Sequence, residues 1–336
     1  MHELINISFD LDKIMDYYYN IHSFDISTFL DQYKGKKLED IFDHHSIIHN
    51  DFGSFIEFYW LIDASNWQID LLASRKKLLR NLKTVYYIGE KIERKLLKKG
   101  VKSILDLKFH TRYNKNASEL IDLIRGREYE HLLQNRYIYD LDVSFCFKPQ
   151  DLLFIDIETL GIYDSPIIII GLGFFQDNQY QIKILFARNL EEEIALCDHF
   201  RKEILPHFKC FISYNGKSFD IPYIANRLLY FFEENPMISN DEVPYENANT
   251  KYHHIDLYHN CRRKYKGLFN SYTLTNIERK LLEMKRENEL PSTLVGFCYQ
   301  LYLEDPQENV GLIREVINHN YWDVYSLPLI LSRLLA

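Results

Sequence analysis

Hydrophobic residues recur at helical spacing in one stretch of the N-terminal half. Between residues 74 and 124 apolar positions lie three or four residues apart, as in Leu78 and Leu82, and Gly89 and Gly100 separate the repeats. This is the period of an amphipathic helix, and glycine marks helix ends. The pattern therefore predicts several short helices. In the first 70 residues it predicts one amphipathic helix, from Leu11 to Tyr19, and no recognisable motif.

After residue 148 short runs rich in β-branched residues replace this pattern. Residues 152–158, 167–175 and 179–186 each have the composition of a strand, and Asp177-Asn178 is typical of the tight turn of a hairpin. We therefore expect three consecutive antiparallel strands at the start of this region.

Helices and strands alternate in the remainder of the chain. The predicted elements are a helix from the capping box at 189–192 to about residue 205, a strand at 209–213, a helix at 222–232, a strand at 254–257, helices near 258–265 and 273–282, and a final helix after Asp305 that Pro328 bends or interrupts. The pattern predicts an α/β fold, a mixed sheet with flanking helices at 148–336, after a mainly helical N-terminal region. That region comprises an unassigned segment, 1–72, and a basic helical module, 73–147.

Charge is segregated along the chain, although the formal net charge is −8. Thirteen Lys or Arg and three acids lie between Arg75 and Arg112, whereas residues 1–70 hold four Lys and thirteen acids. A local basic field attracts polyanions whatever the total charge. The acidic balance therefore does not exclude a nucleic-acid partner.

Cysteine usage and hydropathy indicate the compartment. The five cysteines form no CxxC pair and leave one over, so neither a disulfide framework nor a zinc ribbon is expected. The N-terminus lacks a signal-peptide pattern, and the longest apolar run, 166–175, is too short to cross a bilayer. We therefore expect a cytoplasmic protein with no membrane partner.

Two acids lie on one face of the first predicted strand. Strand alternation places Asp156 and Glu158 on one side, and Ile155 and Ile157 on the other. A strand that emerges into solvent shows the same pattern, so this pair needs support from other parts of the chain.

Further acids follow at two later points. Asp220 directly precedes the predicted helix at 222–232, where a helix N-terminus also attracts an acid for structural reasons. His319 and Asp323 are four residues apart and share a helical face, which surface pairs also do. The order strand, turn, C-terminal helix makes these acids a candidate site.

This order resembles the DEDD (DnaQ-like) superfamily of 3′→5′ exonucleases, in which a strand-borne DxE, an Asp in an NxxxFD turn and a helical Asp follow one another. Residues 214–223 (YNGKSFDIPY) are also similar to the second exonuclease motif of family B DNA polymerases. Residues 319–324 (HNYWDV) are similar to the closing signature of the bacterial YprB-like ribonuclease H-like proteins. The resemblance covers roughly residues 152–335 and implies a ribonuclease H-like domain at 148–336.

The resemblance also implies a metal site. Asp156, Glu158, Asp220 and Asp323 would hold two divalent cations and release 5′-mononucleotides from single-stranded 3′ ends of DNA or RNA. Carboxylate oxygens favour Mg²⁺ or Mn²⁺. Two like charges separated by about 4 Å cost on the order of 4 kcal/mol at an effective dielectric constant of about 20, so the four acids need positive charge beside them.

His319 is the predicted general base. Enzymes of the superfamily carry a His five residues before the last Asp or a Tyr four before it, and here Asn318 and His319 occupy those positions. Neutral imidazole near pH 7 suits proton abstraction, and the YprB-like spacing supports the same assignment.

The basic stretch at 85–107 resembles a helix-hairpin-helix, a module that holds nucleic-acid backbones without reading their sequence. The resemblance implies that the backbone at Ile88 and Gly89 faces a phosphate, with Lys91, Arg94 and Lys95 beside it. The alternative is a helical pair with a solvated basic face.

Several residues are interpreted as structural. Asp256 follows a short strand and is taken as a structural contact, and His253, His254 and His259 are taken as a surface cluster because no zinc-finger spacing is present. Two other functions stay open: a nucleic-acid-binding protein that has lost activity, and a structure-selective endonuclease on the same fold.

Overall fold

The computed structural model describes residues 27–237, 251–286 and 290–336. The predicted helix at 11–19 lies outside these residues. The strands are β1 His45–Asn50, β2 Gly53–Asp63, β3 Leu152–Thr159, β4 Ile167–Gln176, β5 Gln179–Phe186, β6 Cys210–Ser213 and β7 His253–Asp256.

Twelve α-helices are formed by the described residues. They are α1 Ser27–Tyr33, α2 Leu72–Arg80, α3 Glu90–Lys98, α4 Ile104–Leu107, α5 Asn114–Gly126, α6 Tyr129–Leu133, α7 Glu193–His199, α8 Asp220–Phe232, α9 Leu257–Lys264, α10 Leu274–Ile277, α11 Val295–Glu304 and α12 Val310–Leu335. Short 3₁₀ segments include Asp140–Cys146 and Ser292–Leu294, and π-helical turns extend α7 and α10. None of the helices in these parts of the chain has the length and apolar character to cross a membrane.

The seven strands form one mixed sheet in the order β1-β2-β5-β4-β3-β6-β7. Strands β3, β6 and β7 run parallel to one another, and the other pairs are antiparallel. The three consecutive antiparallel strands and the α/β fold class are therefore confirmed. Asp177 and Asn178 both have positive φ, as a hairpin turn of two residues requires.

The N-terminal region contributes more to the sheet than its sequence indicated. Residues 72–147 are mainly helical, as predicted, but residues 56–63 of β2 pair with β5 and β1 pairs with β2. The sheet of the C-terminal domain thus gains two strands from residues that carry no recognisable motif. The domain boundaries at residues 72 and 147 stay predictions.

Buried apolar side chains cover both faces of the sheet. One cluster contains Phe154 and the buried face of α12, and the other contains Ile155 and Ile157 together with α7 and α8. A third, separate cluster packs the helices between residues 78 and 145. Burial on both faces explains why β3 and β4 are almost continuously hydrophobic.

Helix α12 runs unbroken from Val310 to Leu335, so Pro328 does not interrupt it, and the alternative prediction of a bend stays a prediction. Proline has no N–H to donate to the carbonyl four residues earlier, here that of Val324. The hydroxyl of Tyr180 on β5 donates to this carbonyl instead, at 2.9 Å. A side chain from the sheet therefore satisfies the carbonyl that proline leaves without its helical partner.

Candidate active site

Strand β3 carries Asp156 and Glu158 on the face that α12 covers. Their neighbours Ile155 and Ile157 are buried on the opposite face, as strand alternation predicts. Only 9% of Glu158 is exposed. Neither acid therefore belongs to a strand that emerges into solvent.

Two glycines on β4 allow α12 to approach the sheet beside these acids. Gly171 pairs with Asp156 in the strand register, and a Cβ at Gly171 would lie only 1.9 Å from the Oδ1 of Asn320. A Cβ at Gly173 would lie 1.9 Å from the hydroxyl of Tyr180. With this close packing, the side-chain amide of Asn320 donates to Asp156 Oδ2 at 2.8 Å.

Asp220 begins helix α8 and is tied to the strand. Its Oδ1 accepts the backbone N–H of Ile157 at 3.0 Å, between the two acids of β3. The preceding turn is held by Asp256, whose carboxylate accepts the N–H groups of Asn215 at 2.9 Å and Lys217 at 3.2 Å. Asp256 is therefore a structural contact, as predicted.

Helix α12 adds His319 and Asp323 from above the strand. The Nε2 of His319 lies 3.5 Å from Asp323 Oδ2 and 3.7 Å from Glu158 Oε1. Glu158, His319 and Asp323 each offer one potential ligand atom, and these three atoms lie within 4.8 Å of one another. The three side chains have the spacing of a metal-binding group.

Two further side chains complete the surroundings of His319 and Asp323. The hydroxyl of Ser292 lies 3.1 Å from His319 Nε2. Arg286, with only 5% of its side chain exposed, contacts Asp323 Oδ1 at 2.6 Å and also pairs with Glu278. A buried guanidinium thus supplies part of the positive charge that the acids need.

The pKa values of three of the clustered acids, Asp156, Glu158 and Asp220, are raised. Burial is the main cause for Asp156, followed by the charges of Asp323, Asp220 and Glu158, and together they outweigh Arg286, which lowers this pKa. Burial raises the pKa of Glu158 to about 8, although His319 opposes the shift. Burial likewise raises the pKa of Asp220 to about 7, against the hydrogen bond from Ile157. The protein's own cations do not balance this group.

The structure gathers all five predicted side chains, Asp156, Glu158, Asp220, His319 and Asp323, into one group. Sequence reasoning missed Asn320, Ser292 and Arg286. Asn320 directly follows His319 within the segment HNYWDV, but the resemblance of this segment to YprB-like proteins gave it no role. Ser292 and Arg286 precede helix α12 in a segment without a motif, so no sequence signal identified them.

A second group of polar residues surrounds the buried carboxylate of Asp140, between the helical region and β7. The carboxylate of Asp140 accepts hydrogen bonds from Lys217 Nζ at 2.7 Å, Arg263 at 2.9 Å and Asn260 at 3.0 Å. Burial alone would raise the pKa of Asp140, but Lys217 and the hydrogen bonds hold it at about 2. This acid is ionised and balanced by the protein itself. We call these residues the Asp140 cluster.

The predicted surface cluster of histidines is wrong for two of its three members. His253 is buried, bonds the carbonyl of Asp140 at 2.9 Å and stacks on Phe147, while His254 contacts the hydroxyl of Ser213 at 2.7 Å. Burial lowers the pKa of His253 to about 4 and that of His254 to about 3. Both act as neutral hydrogen-bonding groups because, although β7 is an edge strand of the sheet, the 3₁₀ segment Asp140–Cys146 packs against it.

The predicted nucleic-acid contacts of the basic module lie at the start of α3. Gly89 directly precedes the helix, and Lys91, Arg94 and Lys95 are exposed on it. The side chain of Ile88 is buried in the helical core, so only its backbone is available at the surface. The preceding turn contains Tyr87 at φ 70°, a left-handed conformation.

Comparison with known proteins agrees with this geometry. The profile of the RNase_H superfamily (RNase_H_2) matches residues 153–335, which include all five clustered side chains. The chain is also similar to the uncharacterized protein YprB of Bacillus subtilis (strain 168), with 24% identity over 184 residues. This match covers 54% of the chain and 41% of YprB, so the chain corresponds to less than half of that relative.

Proposed function

Because the chain belongs to the RNase_H superfamily, we propose that it is a two-metal-dependent 3′→5′ exonuclease that hydrolyses DNA or RNA to 5′-mononucleotides. The observation that carries the proposal is the group of four carboxylates beside His319, in which burial and neighbouring acids raise the pKa values of Asp156, Glu158 and Asp220. Such strongly perturbed groups mark functional sites. The five free cysteines in the described residues fit a reducing, cytoplasmic setting.

The donor set fits divalent cations. Asp156, Glu158, Asp220 and Asp323 offer hard oxygen ligands, the type that Mg²⁺ and Mn²⁺ prefer, and Glu158, His319 and Asp323 already have ligand spacing. When bound, two such ions supply activation of the attacking water and stabilisation of the leaving oxygen. The positive charge would also lower the pKa values of Asp156, Glu158 and Asp220, which are raised first by burial and then by the neighbouring acids.

The chain's own residues have separate tasks in this proposal. Asn320 orients Asp156 through its hydrogen bond, and the Ile157 N–H orients Asp220. His319 is the general base, because its Nε2 lies between Glu158 and Asp323 and can accept a proton from a water there. Ser292 fixes the imidazole ring by contacting the same nitrogen.

The decisive experiment compares single-stranded DNA and RNA, each labelled at either end, with and without Mg²⁺ or Mn²⁺. The proposal expects stepwise loss of mononucleotides from the 3′ end, and a decrease on the order of 10³-fold in Asp156→Asn and in Asp323→Asn. Asp151→Asn is the matched control, because Asp151 precedes β3 and pairs with Lys209 outside the group.

Other outcomes distinguish the alternatives. Cleavage of a circular single strand, which has no end, would favour an endonuclease on the same fold. Binding without any metal-dependent cleavage would favour a protein that has lost activity. Equal activity of the two site variants and the wild type would show that the acids are not the catalytic group.

The role of His319 has its own test. If His319 is the general base, His319→Ala should lower kcat far more than it lowers metal affinity. Calorimetric titration with Mn²⁺ measures that affinity. An equal loss of both would show that His319 is instead a metal ligand, as its spacing to Glu158 and Asp323 also allows.

We further propose that the start of α3 binds nucleic-acid backbone through Gly89 and the exposed Lys91, Arg94 and Lys95. Each phosphate contact on single strands contributes about 0.7 to the slope of log affinity against log salt concentration. Lys91→Glu/Lys95→Glu should therefore flatten that slope. An unchanged slope would identify the basic face as solvated surface only.

A further inference from the structure

A cleft of about 840 Å³ opens beside the acid group, along a face of α12 that does not pack on the sheet. Its other walls are the segment from Leu282 to Arg286 and the segment from Asn66 to Ile69. His319 and Arg286 line the cleft, and both contact Asp323. The cleft therefore borders the proposed catalytic group at His319.

The charge of the lining is opposite to that of the whole chain. Four cations, Lys285, Arg286, Arg314 and Arg333, line the cleft with a single carboxylate, Glu315, which pairs with Arg314. Lys285 and Arg333 are exposed to solvent. Arg286 and Arg314 are already paired with acids, so Lys285 and Arg333 supply most of the positive charge with which the cleft complements a polyanion, in a chain of net charge −8.

Aromatic rings lie among these cations. Trp322 packs edge-on against Tyr325 with ring centroids 5.3 Å apart, and Tyr325 packs in the same way against Trp67 at 5.7 Å. Trp322 is 39% exposed despite its large apolar ring. Exposed rings beside cations bind single strands, because unpaired bases stack on the rings while the cations contact phosphates.

From this arrangement we propose that the cleft binds the single-stranded nucleic acid whose end is cleaved in the acid group. Trp322 stacks on a base, and Lys285 and Arg333 contact phosphates. Paired bases of a duplex could not reach the ring, so the cleft selects unpaired strand. Residues 66–69 lie outside the matched range 153–335, so the N-terminal region contributes a wall of this site. The inference rests on the proposed function for the statement that the end of the bound strand is cleaved. Binding of the strand is tested without catalysis.

The experiment measures binding of a fluorescein-labelled 12-nucleotide single strand, as DNA and as RNA, to the full chain in EDTA by fluorescence anisotropy. Lys285→Glu/Arg333→Glu should weaken binding at least about 10-fold and reduce the salt slope by about 1.4. Trp322→Ala should weaken it about 10-fold, whereas Trp322→Phe, which keeps a ring, should stay within about 3-fold of the wild type. A matched duplex should bind more weakly and should not respond to Trp322→Ala.

The control for charge is Lys115→Glu/Arg125→Glu, which makes the same change on α5, away from the cleft. Thermal melting verifies that each variant is folded, and quenching of tryptophan fluorescence by the oligonucleotide should be reduced in Trp322→Phe. The proposed role of the cleft would be contradicted if the control pair weakened oligonucleotide binding equally, or if both cleft variants bound with wild-type affinity. If the cleft variants lose binding but the wild type cleaves nothing with metal, the cleft stands and the exonuclease proposal fails.

Discussion

Two buried acids of this protein differ in how their charge is compensated. Asp140 receives a lysine, an arginine and an amide from the protein, and its pKa is held at about 2. Asp156 receives the amide of Asn320 but lies among three further acids, and its pKa is raised. A buried group that served folding alone would have its charges balanced. The excess of acids around Asp156 therefore supports the proposed metal site, in which bound cations would supply the missing positive charge.

The largest expected difference between the two groups is their response to metal. Saturating Mg²⁺ or Mn²⁺, at about 1,000 times the dissociation constant, should raise the free energy of unfolding by about 4 kcal/mol. Asp156→Asn/Asp323→Asn should lose this increase, and Asp140→Asn should retain it. Urea unfolding with metal and with EDTA measures both, and equal increases in all three proteins would contradict a metal site at Asp156.

Gly171→Ala should disturb the acid group but not the contacts of the Asp140 cluster. The added Cβ would meet Asn320 Oδ1 at 1.9 Å and a methyl group of Val324 at 2.9 Å, so α12 must shift, with a loss of about 3 kcal/mol in the free energy of unfolding. Metal affinity should fall as well. Gly126→Ala is the control, since its Cβ would meet only the flexible side chain of Glu128. Unchanged stability and metal affinity would contradict the close packing of α12.

Asp140→Asn should be destabilising without affecting the chemistry. Removing the carboxylate leaves Lys217 and Arg263 without their acid, at a cost of about 2 kcal/mol. The cost is moderate because these two side chains are 39% and 37% exposed, so water compensates part of it. Urea unfolding measures the loss. A 10-fold decrease in kcat of the folded variant would show that the Asp140 cluster takes part in catalysis.

The smallest effect is on the pH dependence of the metal-free protein. Between pH 6.5 and 8 the folded state keeps a proton on Glu158, whose pKa is about 8, while the unfolded state has released it near its ordinary value of 4.5. The folded state binds more protons, so the free energy of unfolding should fall as the pH rises, by about 1 kcal/mol per pH unit. Buried His253 and His254 are neutral throughout this range.

Urea unfolding in EDTA at several pH values measures this slope. Glu158→Gln should reduce it, and Asp140→Asn should not, because the pKa of Asp140 lies far below the range. A slope of the opposite sign in the wild type would show that Glu158 is ionised without metal.

The difference between the two groups also shows what sequence can reveal. Asp156 and Glu158 could be placed on one face because strand alternation is local, and Asp220 and Asp323 followed from their elements. The charge partners could not be predicted in the same way. Arg286 and Asp323 are far apart in sequence, as are Lys217 and Asp140, and only the tertiary fold brings each pair together.

The missed strands have a similar explanation. In β2 the run from Phe55 to Phe58 is buried at every position, including Glu57, which pairs with Lys183 on β5. Alternation between apolar and polar residues is lost in such a strand, so its sequence does not show the period of two. His253 and His254 were assigned to the surface for the same reason, since polarity alone does not reveal a buried hydrogen bond.

The hydroxyl of Tyr180 has a consequence beyond the one carbonyl it satisfies. Because α12 continues through Pro328, the fourteen residue steps from His319 to Arg333 span about 21 Å along the helix. In the proposed enzyme, the acid group that would cleave the strand and the phosphate contact at Arg333 would then be separated by the length of one continuous helix. Helix α12 would therefore set the distance between cleavage and phosphate binding. Tyr180 stabilises this helix at Pro328 without contacting His319 or Arg333.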